Sequence, residues 1–334
     1  MPSHRRGFFP EPLAAKVPEI TFLFWVIKIL TTAGGEATSD YFALDLGSRL
    51  EAGVIEGAIF LIALACQFRT RRYNAWAYWF FAYSIAIFGT GVADAMHLFI
   101  GIPYSGTTVL WAVVLALVFW IWWRNERTLS IHSIFTQRRE IYYWCVVFAT
   151  FAEGTALGDY TAVALHLGYL ASGIMFFFII LVPAVAWSGF GLNSVVAFWF
   201  AYVVTRPLGA SFADYFSKPH SLSGANYGDA SVALITTIIV AIGVGYLAVT
   251  RHDIQHAVDD ARPERPSGPQ RLTMTWWVDR RAWSESDAGS PASAARSCGP
   301  SRSFPPGSRS TRTALPRART GGCSRATCRW RRPP

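Results

Sequence analysis

Several charged side chains lie inside long apolar stretches of this sequence, where a charge has to be paired, protonated or bound to an ion. The candidates for binding an ion or a polar solute are Glu36, Asp40, Asp94, Glu153, Asp159, Arg206 and Asp214. Ionisable residues in such surroundings are costly, and by default they are functional candidates. With Lys28 included, the set holds six acids and two bases. The excess of acids predicts that protons or cations are bound there to relieve the repulsion.

The chemistry of this donor set indicates which ions would fit. Carboxylates, hydroxyls and carbonyls suit hard ions such as Mg²⁺ or Mn²⁺ better than Zn²⁺ or Cu⁺, and the identity of a metal stays open. The sequence has no nucleophile–base constellation, phosphate loop or His-Glu-x-x-His motif. We therefore expect no catalytic residue, no enzymatic activity and no cofactor.

Arg206 is the candidate that most needs a partner. It lies about 10 Å into the hydrocarbon core, where the side chain cannot easily reach the headgroups. Glu36 and Glu153 are the carboxylates at a suitable depth. Pro207 cannot donate a hydrogen bond to the carbonyl of Val203, so this oxygen is released beside Arg206. A free carbonyl next to buried charges can contribute to an ion or solute site.

A tandem repeat positions these residues. Four aspartates align with one another: Asp40, Asp94, Asp159 and Asp214. Five residues before each aspartate is a glycine: Gly35, Gly89, Gly154 and Gly209. Fifteen residues before each aspartate is a tryptophan: Trp25, Trp79, Trp144 and Trp199. Three identities that recur four times, at periods of 54, 65 and 55 residues, indicate four tandem repeats.

Each repeated position predicts a different role. The tryptophans are expected to anchor the helices at the headgroup boundary, and the glycines to permit close helix contact. Fifteen helical residues rise about 22 Å, so each aspartate lies towards the outer edge of the core. We expect the four glycine and aspartate faces to converge near one outward-facing point. The alternatives are aspartates that only cap helix ends in hydrated loops, and a Glu36, Glu153 and Arg206 group that only holds the repeats together.

The elements that carry the repeats are eight apolar segments. They lie at about residues 20–40, 52–68, 76–96, 106–123, 141–160, 168–187, 192–215 and 230–249. Each approaches the roughly 20 residues that cross a bilayer as a helix. Basic residues concentrate in the N-terminal segment and in the second and fourth loops, so the positive-inside rule places both termini in the cytoplasm. The sequence predicts an all-α integral membrane protein with eight transmembrane helices in four parallel two-helix repeats.

Three regions follow from this pattern. Residues 1–17 form a cytoplasmic N-terminus, and residues 18–250 form the membrane domain, with repeats at about 18–70, 71–124, 136–188 and 190–250. Residues 251–334 form a disordered tail rich in Arg, Pro and Ser, which is either a basic extension that touches anionic lipid or the out-of-frame translation of a GC-rich gene. The formal charge of +9 arises in this tail, because residues 1–261 sum to −2. The basicity therefore gives no reason to expect a nucleic-acid partner.

On these repeats, each with a Trp, a Gly and an Asp at fixed spacing, the chain resembles the bacterial membrane proteins built from four tandem repeats of unknown function. The resemblance covers about residues 16–250, and it implies two spans per repeat and a multi-pass protein of the bacterial inner membrane. From the residues themselves we expect a small-solute or hard-cation transporter with proton coupling, with the bilayer and a cation or small polar solute as partners. The alternative is a structural or stress-related membrane protein that transports nothing. The oligomeric state stays open.

Overall fold

Eight long α-helices make up the fold in the computed structural model, which describes residues 15–45 and 48–255. The helices are α1 (Phe22–Leu44), α2 (Arg49–Arg69), α3 (Ala75–Leu98), α4 (Tyr104–Glu126), α5 (Gln137–Asp159), α6 (Tyr169–Phe190), α7 (Ser194–Ser217) and α8 (Asp229–Thr250). No β-strand occurs in these two ranges. A π-helical turn, Tyr160–Ala164, extends α5. The protein is therefore all-helical over the described part of the chain.

Local sequence signals set where the helices begin. A polar side chain accepts a hydrogen bond from the first turn of five helices, at Thr21, Ser48, Asn74, Thr136 and Asn193. The bounds of the helices lie close to those of the predicted spans. The largest difference at a helix start is at α5, which begins four residues before the predicted span because its first turn is polar but still helical and is capped by Thr136.

The odd-numbered helices form an inner ring, and the even-numbered helices lie outside it. Helix α1 contacts α3 and α7, and α5 also contacts α3 and α7, which closes the ring. Each outer helix packs mainly on the inner helix of the following repeat: α2 on α3, α4 on α5 and α6 on α7. Helix α8 packs on α1 in the same way. The four repeats therefore follow one another around a pseudo-four-fold axis, and the last repeat meets the first.

The repeated glycines allow the inner helices to approach one another this closely. A Cβ atom on Gly35 would collide with Ala86, and one on Gly89 with Phe151. The same addition at Gly154 would meet Arg206 and Pro207, and at Gly209 it would meet Thr32. In every case the obstructing position lies three residues before the glycine of the next repeat. The small-residue contact predicted from the sequence is thus made four times, always in the same sense around the ring.

Apolar surface faces outwards from the outer helices, as a lipid environment requires. Exposed examples are Leu61, Ile62, Val113, Trp120, Phe178, Val185, Ile235 and Ile242. Six helices (α2, α3, α4, α6, α7 and α8) are long and apolar enough to cross a membrane. Helices α1 and α5 are long enough but less apolar, because charged residues interrupt them. Both belong to the inner ring, where Lys28, Glu36 and Glu140 are buried. These properties indicate a multi-pass membrane protein.

Three of the four repeat tryptophans are not lipid-exposed anchors, contrary to the sequence-based expectation. Trp79, Trp144 and Trp199 are 2–5% exposed and pack inside the protein, and only Trp25 is half-buried. The indole of Trp199, for instance, packs edge-on against Trp122 and donates a hydrogen bond to the carbonyl of Leu129. These three residues therefore pack inside the protein, at the end opposite to the repeat aspartates, and are not exposed to lipid.

A layer of polar side chains at the tryptophan end joins distant parts of the chain. Lys16 pairs with Glu140 across 2.7 Å, and Gln67 donates a hydrogen bond to the same carboxylate. Burial lowers the pKa of Lys16, although Glu140 opposes this effect. Beyond α8, Asp253 is 1% exposed and accepts a hydrogen bond from Tyr73. Asp253, which the sequence analysis placed in the tail, is thus packed against the helices. Residues 256–334 of that tail lie outside the described residues.

Candidate functional site

Arg206 lies at the centre of the inner ring and is fully buried. Its guanidinium pairs with the Glu36 carboxylate and donates to the hydroxyls of Thr90 and Thr155, the latter at 2.6 Å. It also donates to the carbonyl of Thr32 at 3.2 Å. Glu36, rather than Glu153, is therefore the carboxylate that pairs with Arg206. The four partners come from α1, α3 and α5, so one side chain of α7 joins all four inner helices.

The repeat explains why these partners meet. Glu36, Thr90 and Thr155 each follow the glycine of their own repeat, so they occupy equivalent positions around the pseudo-four-fold axis. The fourth equivalent residue is Ala210, in the helix that supplies Arg206. The arginine therefore reaches across the axis to three equivalent positions and closes the ring at this level.

Pro207 shapes α7 next to the arginine. Helix α7 continues through Pro207 without a break, although the pyrrolidine ring of the proline removes one backbone donor. The carbonyl of Thr205 accepts a hydrogen bond of 3.2 Å from the Thr32 hydroxyl of α1. On the other side, Pro207 packs against Gly154 of α5. The altered backbone is thereby fixed between two neighbouring helices.

On the side of Arg206 towards the aspartates, carboxylates converge. Oxygen atoms of Glu36, Asp40 and Asp214 lie within 4.8 Å of one another. Asp94 and Asp159 are close enough to interact electrostatically with Asp40 and Glu36. The four repeat aspartates thus meet at one end of the ring. We call Glu36, Asp40, Asp94, Asp159 and Asp214 the acidic cluster.

Two further carboxylates approach this cluster. Glu56 of α2 is 2% exposed and accepts a hydrogen bond of 2.7 Å from Ser39. It lies against Gly91, where a larger side chain would occupy the same space. Asp229 at the start of α8 interacts electrostatically with Asp40. The resulting seven carboxylates are opposed by two cationic side chains, Arg206 and Lys218.

Lys218 lies at the rim of the acidic cluster, just after the end of α7. Its ammonium pairs with Asp40 at 2.6 Å and with Asp229 at 3.2 Å. Burial acts to lower the pKa of Lys218, but Asp40, Asp214 and Asp229 outweigh burial and raise the pKa above its usual value. Lys218 is therefore charged at neutral pH and takes up part of the negative charge.

Glu153 does not join this group. It is 6% exposed, and its Oε2 atom has no hydrogen-bond partner among the described residues. Glu153 precedes its repeat glycine, and the equivalent residue of α3 is Phe88. Phe88 stacks on Phe60 of the outer helix α2 with ring centroids 4.9 Å apart. The register thus places Glu153 at a position that in α3 faces an outer helix.

Lys28 lies on the other side of Arg206, towards the tryptophan end. It is 1% exposed, and its Nζ atom lies 4.1 Å from the ring centroid of Phe151 and 4.3 Å from that of Tyr202. Further along the axis the hydroxyls of Tyr78 and Tyr143 share a hydrogen bond. The interior thus changes along the ring from aromatic and basic to acidic, with Arg206 at the boundary.

Sequence reasoning missed several members of this site. Thr90, Thr155 and Lys218 were not among the candidates. The repeat register contained a signal for the threonines, since they occupy the position of Glu36. Lys218 lies in a loop, and its partners depend on how α7 returns to α8. No comparable signal identifies it in the sequence.

The comparison with family models decides the family. The model described as Repeat of Unknown Function (DUF347) matches the chain four times, at residues 23–73, 77–128, 142–191 and 197–253. The chain belongs to this family. Each DUF347 match contains one inner helix and the outer helix that follows it in sequence. The resemblance seen in the sequence is therefore confirmed, with all four repeats present. No curated protein and no solved structure matches the chain.

The DUF347 repeat and the packing unit of the ring are different pairs of helices. The family repeat joins α1 with α2, whereas α2 packs mainly on α3. A single repeat therefore leaves its outer helix without its main partner. The acidic cluster is likewise assembled from all four repeats, so no single DUF347 repeat contains the site.

Proposed function

We propose that this protein transports a hard cation across the bacterial inner membrane, in exchange for or together with protons. All eight helices span the bilayer in the proposal, and both termini lie in the cytoplasm. The lengths of α1 and α5, their positions in the inner ring and the burial of half of their charged residues support the first point. The basic residues of the loops at the tryptophan end support the second.

One observation carries the proposal: Glu36, Asp40 and Asp214 bring three carboxylates within 4.8 Å of one another. Asp214 is 5% exposed, and no described side chain donates a hydrogen bond to its carboxylate. Like charges at this separation cannot all stay ionised without a counter-charge. Arg206 and Lys218 neutralise two of the carboxylates and leave an excess. Protons or a cation with affinity for oxygen ligands would complete the site.

The position of Arg206 suggests how such a site would be closed. Its guanidinium lies on the pseudo-four-fold axis between the acidic cluster and the aromatic end, and it is bonded to three inner helices. A cation that binds Glu36 competes with Arg206 for the same carboxylate. Separation of this pair would then open the ring towards the opposite side. In this mechanism Arg206 is both counter-charge and gate.

A second candidate function is supported by the same contacts. Arg206 has a carboxylate, two hydroxyls and a carbonyl as partners, so its hydrogen bonds join all four repeats. In this alternative the buried charges hold the repeats together in a structural or stress-related membrane protein that transports nothing. The other carboxylates of the acidic cluster distinguish the two functions. Structural pairing of Arg206 needs only Glu36, whereas a cation site also needs the remaining carboxylates.

Uptake of Mn²⁺ into proteoliposomes, monitored with ⁵⁴Mn²⁺, tests the proposal. The wild type should accumulate Mn²⁺, and Asp214→Asn and the double variant Glu36→Gln/Arg206→Met should not. Glu51→Gln is the matched control, because Glu51 is an exposed carboxylate at the same end of the molecule. Uptake that survives in both test variants, or that is absent from the wild type, would overturn transport of this cation class.

A further inference from the structure

Lys28 is a buried amine that the proposed cation site does not use. Its Nζ atom has no hydrogen-bond partner among the described residues, and its side chain is 1% exposed. The Nζ atom lies over the faces of Phe151 and Tyr202. A permanent ammonium in a dry interior, without an anion or an acceptor, is expensive even between two aromatic rings.

The charged and titratable groups around Lys28 give it no anionic partner. Helix α7 contributes Tyr202 and Arg206, and the Arg206 guanidinium lies 5.2 Å from the ring centroid of Phe151. Helices α3 and α5 contribute Tyr78 and Tyr143, whose hydroxyls are bonded to each other. The one carboxylate of α8 is Asp229, which lies at the acidic end of the ring. The only full charge described near Lys28 is therefore the positive charge of Arg206.

We infer that Lys28 is a proton-binding site on the aromatic side of the Arg206 gate and that it couples proton movement to cation movement. The inference rests on the proposed function and specifies the coupling partner within it. Burial without an anion favours the neutral amine, whose lone pair is free to accept a proton when water reaches it from the tyrosine end. The accepted proton converts the amine to an ammonium, and its return to water restores the amine.

The coupling follows from the position of Arg206 between the two sites. While Glu36 holds Arg206, the charge of the arginine is balanced. A cation at the acidic cluster draws Glu36 away, and the unbalanced guanidinium then disfavours an ammonium at Lys28 by repulsion. The cation and the proton therefore exclude one another. This sign of coupling corresponds to exchange of the cation for a proton rather than to their joint transport.

The protonation of Lys28 can be read directly, because the chain contains three lysines, Lys16, Lys28 and Lys218. Full-length protein labelled with ¹⁵N-lysine, in lipid nanodiscs, gives one ζ-nitrogen signal for each, and Lys16→Arg and Lys218→Arg assign the other two. We expect the Lys28 signal at the position of a neutral amine at neutral pH, moving to the ammonium position on acidification. Added Mg²⁺, a diamagnetic hard cation, should shift that transition to lower pH. An ammonium signal throughout, or a transition that Mg²⁺ does not move, would overturn the inference.

Flux measurements separate this inference from the proposed function. In proteoliposomes, Lys28→Met should lose the stimulation of Mn²⁺ uptake by an imposed pH gradient, and Lys28→Arg, which is permanently charged, should lose this stimulation as well. If Lys28→Arg keeps a wild-type response to the gradient, Lys28 is a fixed cation and the coupling role is excluded. The effect of Asp214→Asn on uptake stays informative about the cation site in either case.

Discussion

Thr90 in α3 occupies the position in its repeat that Glu36 occupies in α1, and its hydroxyl donates a hydrogen bond of 3.0 Å to the Glu36 carboxylate. Both groups bind the same guanidinium nitrogen of Arg206. A carboxylate in every repeat would bring four like charges to one level of the axis, which is unfavourable. The repeats have instead diverged at this position, and one acid, two hydroxyls and a methyl group share it. The asymmetry creates a single pairing partner for a single arginine.

Removal of Glu36 alone should destabilise the protein more than removal of both Glu36 and Arg206. Glu36→Gln leaves the Arg206 charge buried without its carboxylate, and we expect a loss of about 3–5 kcal/mol in the free energy of unfolding. The double variant Glu36→Gln/Arg206→Met has no buried charge to compensate and should recover most of that loss. Denaturant unfolding in detergent, followed by tryptophan fluorescence, measures both. Equal losses in the single and the double variant would contradict the assignment of the pair.

The close approach of α7 to α1 gives a second prediction. Gly209→Ala would place a methyl group against Thr32 and the carbonyl of Ile29, and overpacking of this kind costs about 1–3 kcal/mol. Gly53→Ala is the matched control, since no atom lies within 4 Å of the added carbon. Thermal unfolding of both variants should show a lower Tm for Gly209→Ala alone. Equal Tm values would mean that the helices are not packed as closely as the ring requires.

Lys218 should compete with a cation for Asp40. Its ammonium is held at 2.6 Å from that carboxylate, so Lys218→Met removes a tethered counter-charge from the rim. We expect Mn²⁺ to bind the purified protein about tenfold more tightly, a change of roughly 1.4 kcal/mol. Electron paramagnetic resonance of free Mn²⁺ measures the change. Arg49→Gln, at an exposed basic residue of the same end, is the control and should leave the affinity unchanged.

Asp253 should make stability depend on pH. Burial raises the pKa of its carboxyl group, and the hydrogen bond from Tyr73 opposes that shift. The folded protein therefore holds this proton more readily than the unfolded chain does. The stabilisation by protonated Asp253 is greatest at pH values below the usual pKa of an aspartate. It is lost as the pH rises through the raised pKa of Asp253 in the folded protein.

Two substitutions isolate this contribution. Asp253→Asn should remove it from a plot of Tm against pH. Tyr73→Phe removes the group that opposes the shift, so the loss of stability should move to higher pH. Asp45→Asn, at an exposed aspartate, serves as the control. Identical pH profiles for the wild type and Asp253→Asn would show that the carboxyl group is not buried as described.

The helices and the repeat could be predicted from the sequence because their signals are local. Apolar runs, polar caps such as Ser48 and Thr136, and the recurring glycines lie within a few residues of the features they determine. Burial of the tryptophans was not predictable from hydropathy, because an indole suits both a headgroup boundary and a protein interior. Which outer helix packs on which inner helix was equally hidden, since α2 follows α1 in sequence but packs mainly on α3.

The partner of Arg206 shows where sequence reasoning reaches its limit. Depth alone left Glu36 and Glu153 as equal choices, because both lie at similar heights in their helices. The decision depends on the direction that each side chain faces around the helix axis. The repeat register contains this information: Glu36 follows its glycine, as Thr90 and Thr155 do, whereas Glu153 precedes its own. Comparison of the repeats with one another would therefore have separated the two.

Closure of the ring by α8 on α1 has a consequence for how the chain can be connected. The backbone N–H of Glu19 donates a hydrogen bond of 2.8 Å to the carbonyl of Asp253, so the first and last repeats begin and end side by side. A circularly permuted chain, joined at this point and opened between α2 and α3, would retain every inter-helix contact. Which repeat is synthesised first is then incidental to the finished molecule, and only their cyclic succession has to be preserved.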